Sequence, residues 1–319
     1  MSFSAIKGQD KPIEILKTYI DNSCLEGGYL FTGPEGIGKK MTALALAKRL
    51  NCLEAKVDSC GHCASCLKIN NNQHPDVHLS LEEEPQIKIE VIRQLQKEIN
   101  LKAYEGGFKV FIIDNAHTLT AEASNALLKI LEEPPKKSLI ILITDKPNLL
   151  FKTVLSRCKI LKFLPLQRGA LAEILKKDYK LNTGLAHFLA YFSEGRLGRA
   201  LKLKDEDIIT KKNIFIDKFV LSSQPNIENL AQGSRLDVRN SLNLLATWFR
   251  DIYLLKTGVR EEEVINSDRK ADLARSVERF SFPDLDSVLG NITSAIAYLD
   301  QNVNMRLLLY NLRMEIWKA

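Results

Sequence analysis

The run Tyr29-Leu30-Phe31-Thr32-Gly33-Pro34-Glu35-Gly36-Ile37-Gly38-Lys39-Lys40 constrains this chain more than any other. A short apolar stretch enters a glycine-rich turn of the form G-x-x-x-x-G-K. A helical pattern follows from Lys39 to about Asn51. Strand before and helix after is the setting in which this motif cradles phosphate. Gly33, Gly36 and Gly38 let backbone N–H groups curl around phosphate oxygens, and the helix N-terminus adds a favourable dipole. Lys39 is placed to reach the outer phosphates. A glycine turn with no ligand is the plainer alternative. The eighth position should be Ser or Thr, whose hydroxyl binds Mg²⁺. Here it is Lys40, and an ammonium offers donors only. Thr42 lies about 200° further round the helix and points elsewhere. Binding of ATP or ADP is left open, and Mg²⁺ is not expected.

The rest of the first half alternates strand and helix patterns. Asp10 with Lys11-Pro12 reads as a helix start, with apolar spacing at Ile13, Leu16 and Ile20. Gly27-Gly28 breaks the chain before the strand Tyr29 to Thr32. Val77 to Leu79 is a short strand, and Ile89 to Ile99 has helical spacing. Phe108 to Ile113 suits a buried parallel strand. A helix from about Thr120 to Leu131 stops at Pro134-Pro135. Strands follow at Ser138 to Ile143 and Cys158 to Phe163. Such alternation implies an α/β domain with a parallel sheet, ending near Leu164. From Gln167 onward helical patterns dominate, including Leu171 to Leu181, Gly184 to Phe192 and Leu242 to Leu255.

Asp114 closes the strand Phe108 to Ile113. In phosphate-loop enzymes an acid there holds Mg²⁺, and a following acidic residue orients the attacking water. The next residue here is Asn115, and an amide is no general base near neutral pH. The plainer role for Asp114 is a strand-end turn residue. With Lys40, two separate parts of a hydrolytic site are missing. Four of the six cysteines, Cys52, Cys60, Cys63 and Cys66, form C-x7-C-x2-C-x2-C. Four thiolates suit a closed, structural Zn²⁺ site. Free thiols or a redox relay is the alternative, and His62 lies within the cluster as a competing ligand. The formal charge of +6 is mild and permits nucleic-acid contact without arguing for it. No stretch reaches the ~18 apolar residues of a membrane helix, and the N-terminus lacks an apolar signal core. The chain therefore reads as soluble and cytoplasmic, with no membrane partner.

Several further runs carry a resemblance. Ser156-Arg157-Cys158 before a strand, and Asn125-Ala126-Leu127-Leu128-Lys129-Ile130-Leu131-Glu132-Glu133-Pro134-Pro135, resemble motifs of clamp-loader AAA+ subunits. Ile6-Lys7-Gly8-Gln9, the cysteine module and His74-Pro75-Asp76-Val77 are similar to bacterial members. These motifs span residues 5 to 165. The resemblance implies a component of the DNA polymerase III holoenzyme, within a heteropentamer that loads a ring-shaped sliding clamp on primed DNA. Partners so implied are gamma/tau ATPase subunits, a delta subunit, the clamp and, through the complex, primed DNA. It also implies three domains: an AAA+ domain with a RecA-like sheet and zinc module (1–164), a small helical lid (165–207) and an all-α collar for oligomerisation (208–319).

Arg157, with Ser156 beside it, is implied to be an arginine finger reaching a neighbour's ATP site, where a guanidinium stabilises charge on the transferred phosphoryl group. On residue type alone, a surface salt bridge is the simpler role. A lid arginine of the family follows Gly-Ser-x-Arg. This chain reads Gly195-Arg196-Leu197-Gly198-Arg199-Ala200, which aligns Gly198 and leaves Arg199 one step off. Lys40 and Asn115 favour the family's degenerate assembly subunit over its active ATPase subunit. A free-standing DNA-binding module is a third reading. Asn243 to Asp251 is a candidate collar oligomerisation helix.

Overall fold

Strands that alternate apolar side chains to both faces need cover on both, and the first half of this chain supplies it with helices. The computed structural model describes residues 2–54, 57–80, 85–105, 107–222, 234–260, 263–301 and 303–318. The chain divides into two compact units, Met1–Leu166 with Arg196–Arg199, and Gln167–Gly195 with Ala200–Ala319. The first holds α1 (Asp10–Asp21), β1 (Gly27–Thr32), α2 (Lys39–Asn51), α3 (Ala64–Asn70), β2 (Val77–Ser80), α4 (Ile89–Ile99), β3 (Lys109–Ile113), α5 (Ala121–Glu132), β4 (Ser138–Thr144), α6 (Lys152–Leu155) and β5 (Cys158–Lys162).

The five strands lie in the order β2-β3-β4-β1-β5, and every pair is parallel. This is the parallel-sheet α/β architecture expected from the sequence. Period-two alternation assigns the two faces. Tyr29, Phe31, Val110, Ile112, Leu139 and Ile141 pack in one cluster with Leu16, Ala43 and Leu46 of α1 and α2. Leu30, Phe111, Ile113, Ile140 and Leu142 pack in another with Ile92, Leu95, Leu127 and Leu131 of α4 and α5.

β1 begins at Gly27, so the glycine pair lies inside the strand instead of before it. The reason is space: a Cβ on Gly28 would lie 2.5 Å from Leu131 Cδ2 and 3.2 Å from Cys158 Sγ. α1 starts at Asp10 with Gln9 at the cap, and no side chain caps it. The cysteine segment is less irregular than its composition suggests, because α3 begins at Ala64. Among the described residues no helix is long and apolar enough to cross a membrane.

The second unit is helical. It holds α7 (Arg168–Tyr179), α8 (Thr183–Phe192), most of α9 (Leu197–Asp205), α10 (Ile208–Ile216), α11 (Arg235–Lys256), α12 (Lys270–Arg279), α13 (Phe282–Tyr298) and α14 (Met305–Lys318). Serine capping boxes start α11 and α13, pairing Ser234 with Asp237 and Ser281 with Asp284. Leu242, Leu245, Trp248, Phe249 and Ile252 of α11 sit at the centre of this unit's core. The candidate oligomerisation segment Asn243 to Asp251 therefore turns most of its apolar side chains inward, and even Asp251 is fully buried.

One buried turn links the sheet to the loop before β3. The Asp76 carboxylate accepts the N–H groups of Tyr104 (2.8 Å) and Glu105 (2.9 Å). His74 Nδ1 accepts the Asp76 N–H at 3.1 Å. Burial holds the His74 imidazole below its ordinary value, against the opposing pull of the Glu105 and Asp76 carboxylates. The unfolded chain then binds more protons than the fold as pH falls through about 6.5, so stability drops with pH in that window. Urea midpoints measured from pH 7.5 to 5.5 are expected to fall more for the wild type than for His74→Gln. Equal slopes would remove His74 as the cause.

Candidate functional site

The glycine turn takes its shape from three residues in the left-handed or positive-φ region: Gly33 (144°), Gly36 (79°) and Gly38 (102°). Gly38 caps α2. With β1 between β4 and β5, the turn emerges at the carboxyl ends of the strands, where parallel α/β sheets place ligands. Lys39 is nearly buried. Its Nζ donates to the Gly33 carbonyl at 2.5 Å and the Pro34 carbonyl at 2.7 Å. Burial pulls its pKa down, while the carboxylates of Asp145, Asp114 and Glu35 pull it up. Thr42 is buried and donates its hydroxyl to the Gly38 carbonyl at 3.0 Å, within its own helix.

Lys40 Nζ lies 3.5 Å from Asp114 Oδ2. The two positions that would share a Mg²⁺ in a hydrolase here form a direct ion pair. Both side chains are partly exposed, at 41% and 28%, so the pair adds at most about 1 kcal/mol. Its importance is where the charge sits. Asn115 follows with φ 51°, and its N–H donates to Asp114 Oδ1 at 3.0 Å. Asp114 is thereby turned toward its own chain and Lys40.

Arg157 lies elsewhere. Cys158 pairs with Gly28 at the start of β1, whereas the glycine turn follows Thr32 at its end. At ~3.3 Å per residue the two sites are about 17 Å apart along the sheet. The guanidinium donates from Nε to Glu132 Oε1 at 2.7 Å, and Nη2 bonds the same carboxylate. Nη1 donates to the Thr153 carbonyl at 3.0 Å and to Ser156 Oγ at 3.4 Å. Ser156 Oγ in turn donates to the Thr153 carbonyl. So Ser156 and Glu132 hold Arg157, one third exposed, at the amino end of the strands.

The thiols of Cys52, Cys60, Cys63 and Cys66 lie within 4.8 Å of one another. Cys52 and Cys63 Sγ are 3.9 Å apart, close to the ~3.8 Å edge of a tetrahedron with Zn–S bonds of ~2.3 Å. Cys52 Sγ accepts the Cys60 N–H and Cys60 Sγ accepts the Cys63 N–H, both at 3.3 Å. Burial raises Cys63, but N–H groups of Cys66 and Leu53 and the neighbouring thiols lower it to about 6. Burial pushes Cys66 up to about 12. The donor set and spacing fit a tetrahedral metal ion. His62 is exposed and faces Glu54 at 3.7 Å, and the four thiols form a complete set without it.

Three contacts at these sites were not anticipated from sequence. Glu132 stands inside a quoted motif, yet its pairing depends on the α5–β5 geometry. Asp145 follows β4 and contributes to the field at Lys39. The segment Arg196–Arg199 packs with the first unit: the Gly198 N–H donates to the Gly36 carbonyl at 2.8 Å. A Cβ on Gly198 would lie 2.8 Å from that oxygen. Gly198, the residue aligned with the family's lid arginine, thus meets the turn by its backbone.

Comparison with known proteins follows the same lines. A family model described as DNA polymerase III, delta subunit matches residues 8–167. Another, described as DNA polymerase III, delta subunit, C terminal, matches residues 210–316. The chain is 36% identical over 200 residues to DNA polymerase III subunit delta' of Bacillus subtilis, covering 62% of this chain and 60% of that protein. It is 28% identical over 293 residues to subunit tau of the same organism, covering 82% and 52%. The chain thus spans less than two thirds of the length of these relatives. A gamma subunit-related protein of Thermotoga maritima aligns over 96% of this chain and 99% of its own, at 19% identity and a TM-score of 0.45.

The Gly36–Gly198 contact makes a direct prediction. Gly198→Ala should lower stability by about 1–3 kcal/mol in denaturant unfolding, because backbone must move to admit the methyl. Gly169, in α7 with open space around it, should gain about 0.5–1 kcal/mol as alanine. Equal responses at both positions would contradict the close approach.

Proposed function

The chain belongs to the DNA polymerase III delta subunit family, and from that premise we propose that it is a non-hydrolysing assembly subunit of a bacterial clamp loader, of the delta-prime kind. The observation that carries this reading is the Lys40 ammonium against Asp114 at 3.5 Å. A fixed cation stands where hydrolysis needs an exchangeable metal and its bound water. Asn115 supplies no base. In this reading Gly33, Gly36, Gly38 and Lys39 are a retained cradle that does no hydrolysis.

Arg157 acts in trans. Its distance from this chain's own glycine turn argues against a role in cis, and its guanidinium is pre-aimed by Glu132 and Ser156. A gamma/tau-type ATPase neighbour provides the phosphate it meets. The helical part comprises a lid (165–207) and a collar (208–319), the latter supported by the C-terminal family match. Through these, the chain joins ATPase and delta subunits in a heteropentamer that loads a sliding clamp on primed DNA. The four thiols hold one structural Zn²⁺ that ties the end of α2 to the start of α3, leaving no open position for a reacting group.

ATP turnover, stimulated by clamp and primed DNA, should be absent for the isolated chain and present in the reconstituted complex. Arg157→Ala should slow hydrolysis at the neighbouring ATP site about 10³-fold or more, lowering turnover of the complex by that site's share, while the subunits still assemble. Turnover by the isolated chain, abolished by Lys39→Ala, would falsify the non-hydrolysing assignment.

For the metal, the purified chain should contain one zinc per molecule by elemental analysis. Thiol reagent should release it, and Cys66→Ser should lose it together with thermal stability. A chain in which Cys52, Cys60, Cys63 and Cys66 all stay thiol-reactive and no zinc is found after preparation in zinc-containing medium would remove the metal from this reading.

A further inference from the structure

The sheet carries a cavity at the end opposite the glycine turn. It measures about 350 Å³ and lies at the amino ends of β3 and β4. Lys102, Lys109, Lys136 and Lys137 line it, and among the described residues no carboxylate and no aromatic ring does. Ser138, the first residue of β4, is part of the lining, whereas Thr144 ends that strand beside Thr32 and the glycine turn. At ~3.3 Å per residue the cavity is about 20 Å from the turn. It is a separate place for an anion.

Exposed lysines alone make a solvated face, but Lys109 is only 4% exposed. Its Nζ donates to the Glu98 carbonyl at 2.6 Å, at the end of α4. An ammonium has three donors, and among the described residues this one has no other acceptor. A buried cation short of partners is unfavourable, and the space beside it is the cavity. Lys102, Lys136 and Lys137 are exposed, and none forms an ion pair among the described residues. The acids nearby are engaged elsewhere. Glu26 accepts the Lys137 backbone N–H at 3.5 Å. Glu98 accepts from Gln94 at 3.0 Å and faces His78 at 3.3 Å. Glu105 pairs with Lys68 and His74. Gly106, the one residue of this loop outside those described, has no side chain to bring a counter-charge. The walls are also fixed. Asp76 holds the Tyr104 and Glu105 N–H groups. Asn51 accepts the Phe108 N–H at 2.9 Å and donates to the Phe108 carbonyl at 3.0 Å. The Lys109 N–H reaches the Lys137 carbonyl at 2.9 Å and ties the two loops together. Walls held this way lower the ordering cost of binding.

We propose that this cavity binds a compact polyphosphate, either inorganic pyrophosphate or the phosphate tail of a nucleotide. Two linked phosphates carry a charge of about −3, which four ammonium groups can neutralise. Lysine meets phosphate as a point charge with several donors. The volume falls at the small end of ligand cavities, roughly 300–1,000 Å³. A nucleic-acid strand suits it less, because strand sites add aromatic platforms for the bases and none lines this cavity. Lys109 is the fixed donor, and Lys102, Lys136 and Lys137 reach in from the rim. The site belongs to this chain alone and uses no residue of the glycine turn.

Isothermal titration calorimetry of the full chain with inorganic pyrophosphate should show saturable binding that weakens as salt rises. Lys136→Ala with Lys137→Ala should weaken it at least about 10-fold, since a hydrogen bond to a charged group is lost at each position. Both side chains are exposed, so the far-UV circular dichroism and melting temperature should hold. Lys176→Ala with Lys177→Ala removes the same charge from the helical unit and should leave binding unchanged. Competition with ATP distinguishes the two sources: displacement at lower concentration than pyrophosphate itself assigns the nucleotide tail, and weaker displacement assigns the free anion. No saturable binding by the wild-type chain would overturn the proposal. So would wild-type affinity in Lys136→Ala with Lys137→Ala, because the anion would then sit elsewhere, the glycine turn included. Equal losses in the two double variants would reduce the effect to net charge and overturn it too. A short oligothymidine that binds more tightly and displaces pyrophosphate would make the occupant a strand and overturn the compact ligand.

Discussion

The burial of β1 on both faces is the constraint on which the first unit depends. All six residues, Gly27–Thr32, are buried. β1 is the strand that joins β4 to β5, so its register fixes what stands at each end of the sheet. At the carboxyl end it delivers the glycine turn and Lys39. At the amino end it aligns Cys158, and with it Arg157, against α5. Gly28 makes the second alignment possible, since any side chain there would collide with Leu131. A single strand therefore sets both the cradle and the external cation, and holds them apart.

The electrostatics around the cradle are internally closed. Lys39 is satisfied by loop carbonyls, and Lys40 by Asp114. Gly36 offers its carbonyl to Gly198. None of these contacts is strong alone; the partly exposed ion pair is weak by any ordinary measure. Together they occupy the two lysine ammoniums and the Gly36 carbonyl of the turn.

Much of this was legible in the sequence because the signals were local. The parallel sheet followed from alternating apolar runs, and the strand ends at Asp114 and Cys158 fell where the pattern placed them. The cysteine spacing led to a thiol cluster of metal-binding size, since three of the four lie within seven residues. Lys40 and Asn115 were readable as wrong residue types, the one for holding a metal and the other for orienting a water. What the sequence withheld was pairing across long separations. Glu132 to Arg157, Gly36 to Gly198 and Leu131 against Gly28 are set by tertiary packing, and no periodicity encodes them. The α11 segment is ambiguous for a related reason. Leu244, Leu245, Trp248 and Phe249 announce an apolar face, but an apolar face has the same pattern whether it meets its own core or another chain.

A magnesium ion at a phosphate loop arrives and leaves with its nucleotide, and its occupancy follows the ion content of the surroundings. Lys40 is tethered one bond network away from Asp114, so its local concentration is set by chain geometry and not by mass action. Chelators cannot remove it, and no shift in free divalent metal can dilute it. The acid at the end of β3 is thereby wired to a permanent counter-ion, which makes the charge state of this corner of the molecule constitutive where a metal would have made it conditional.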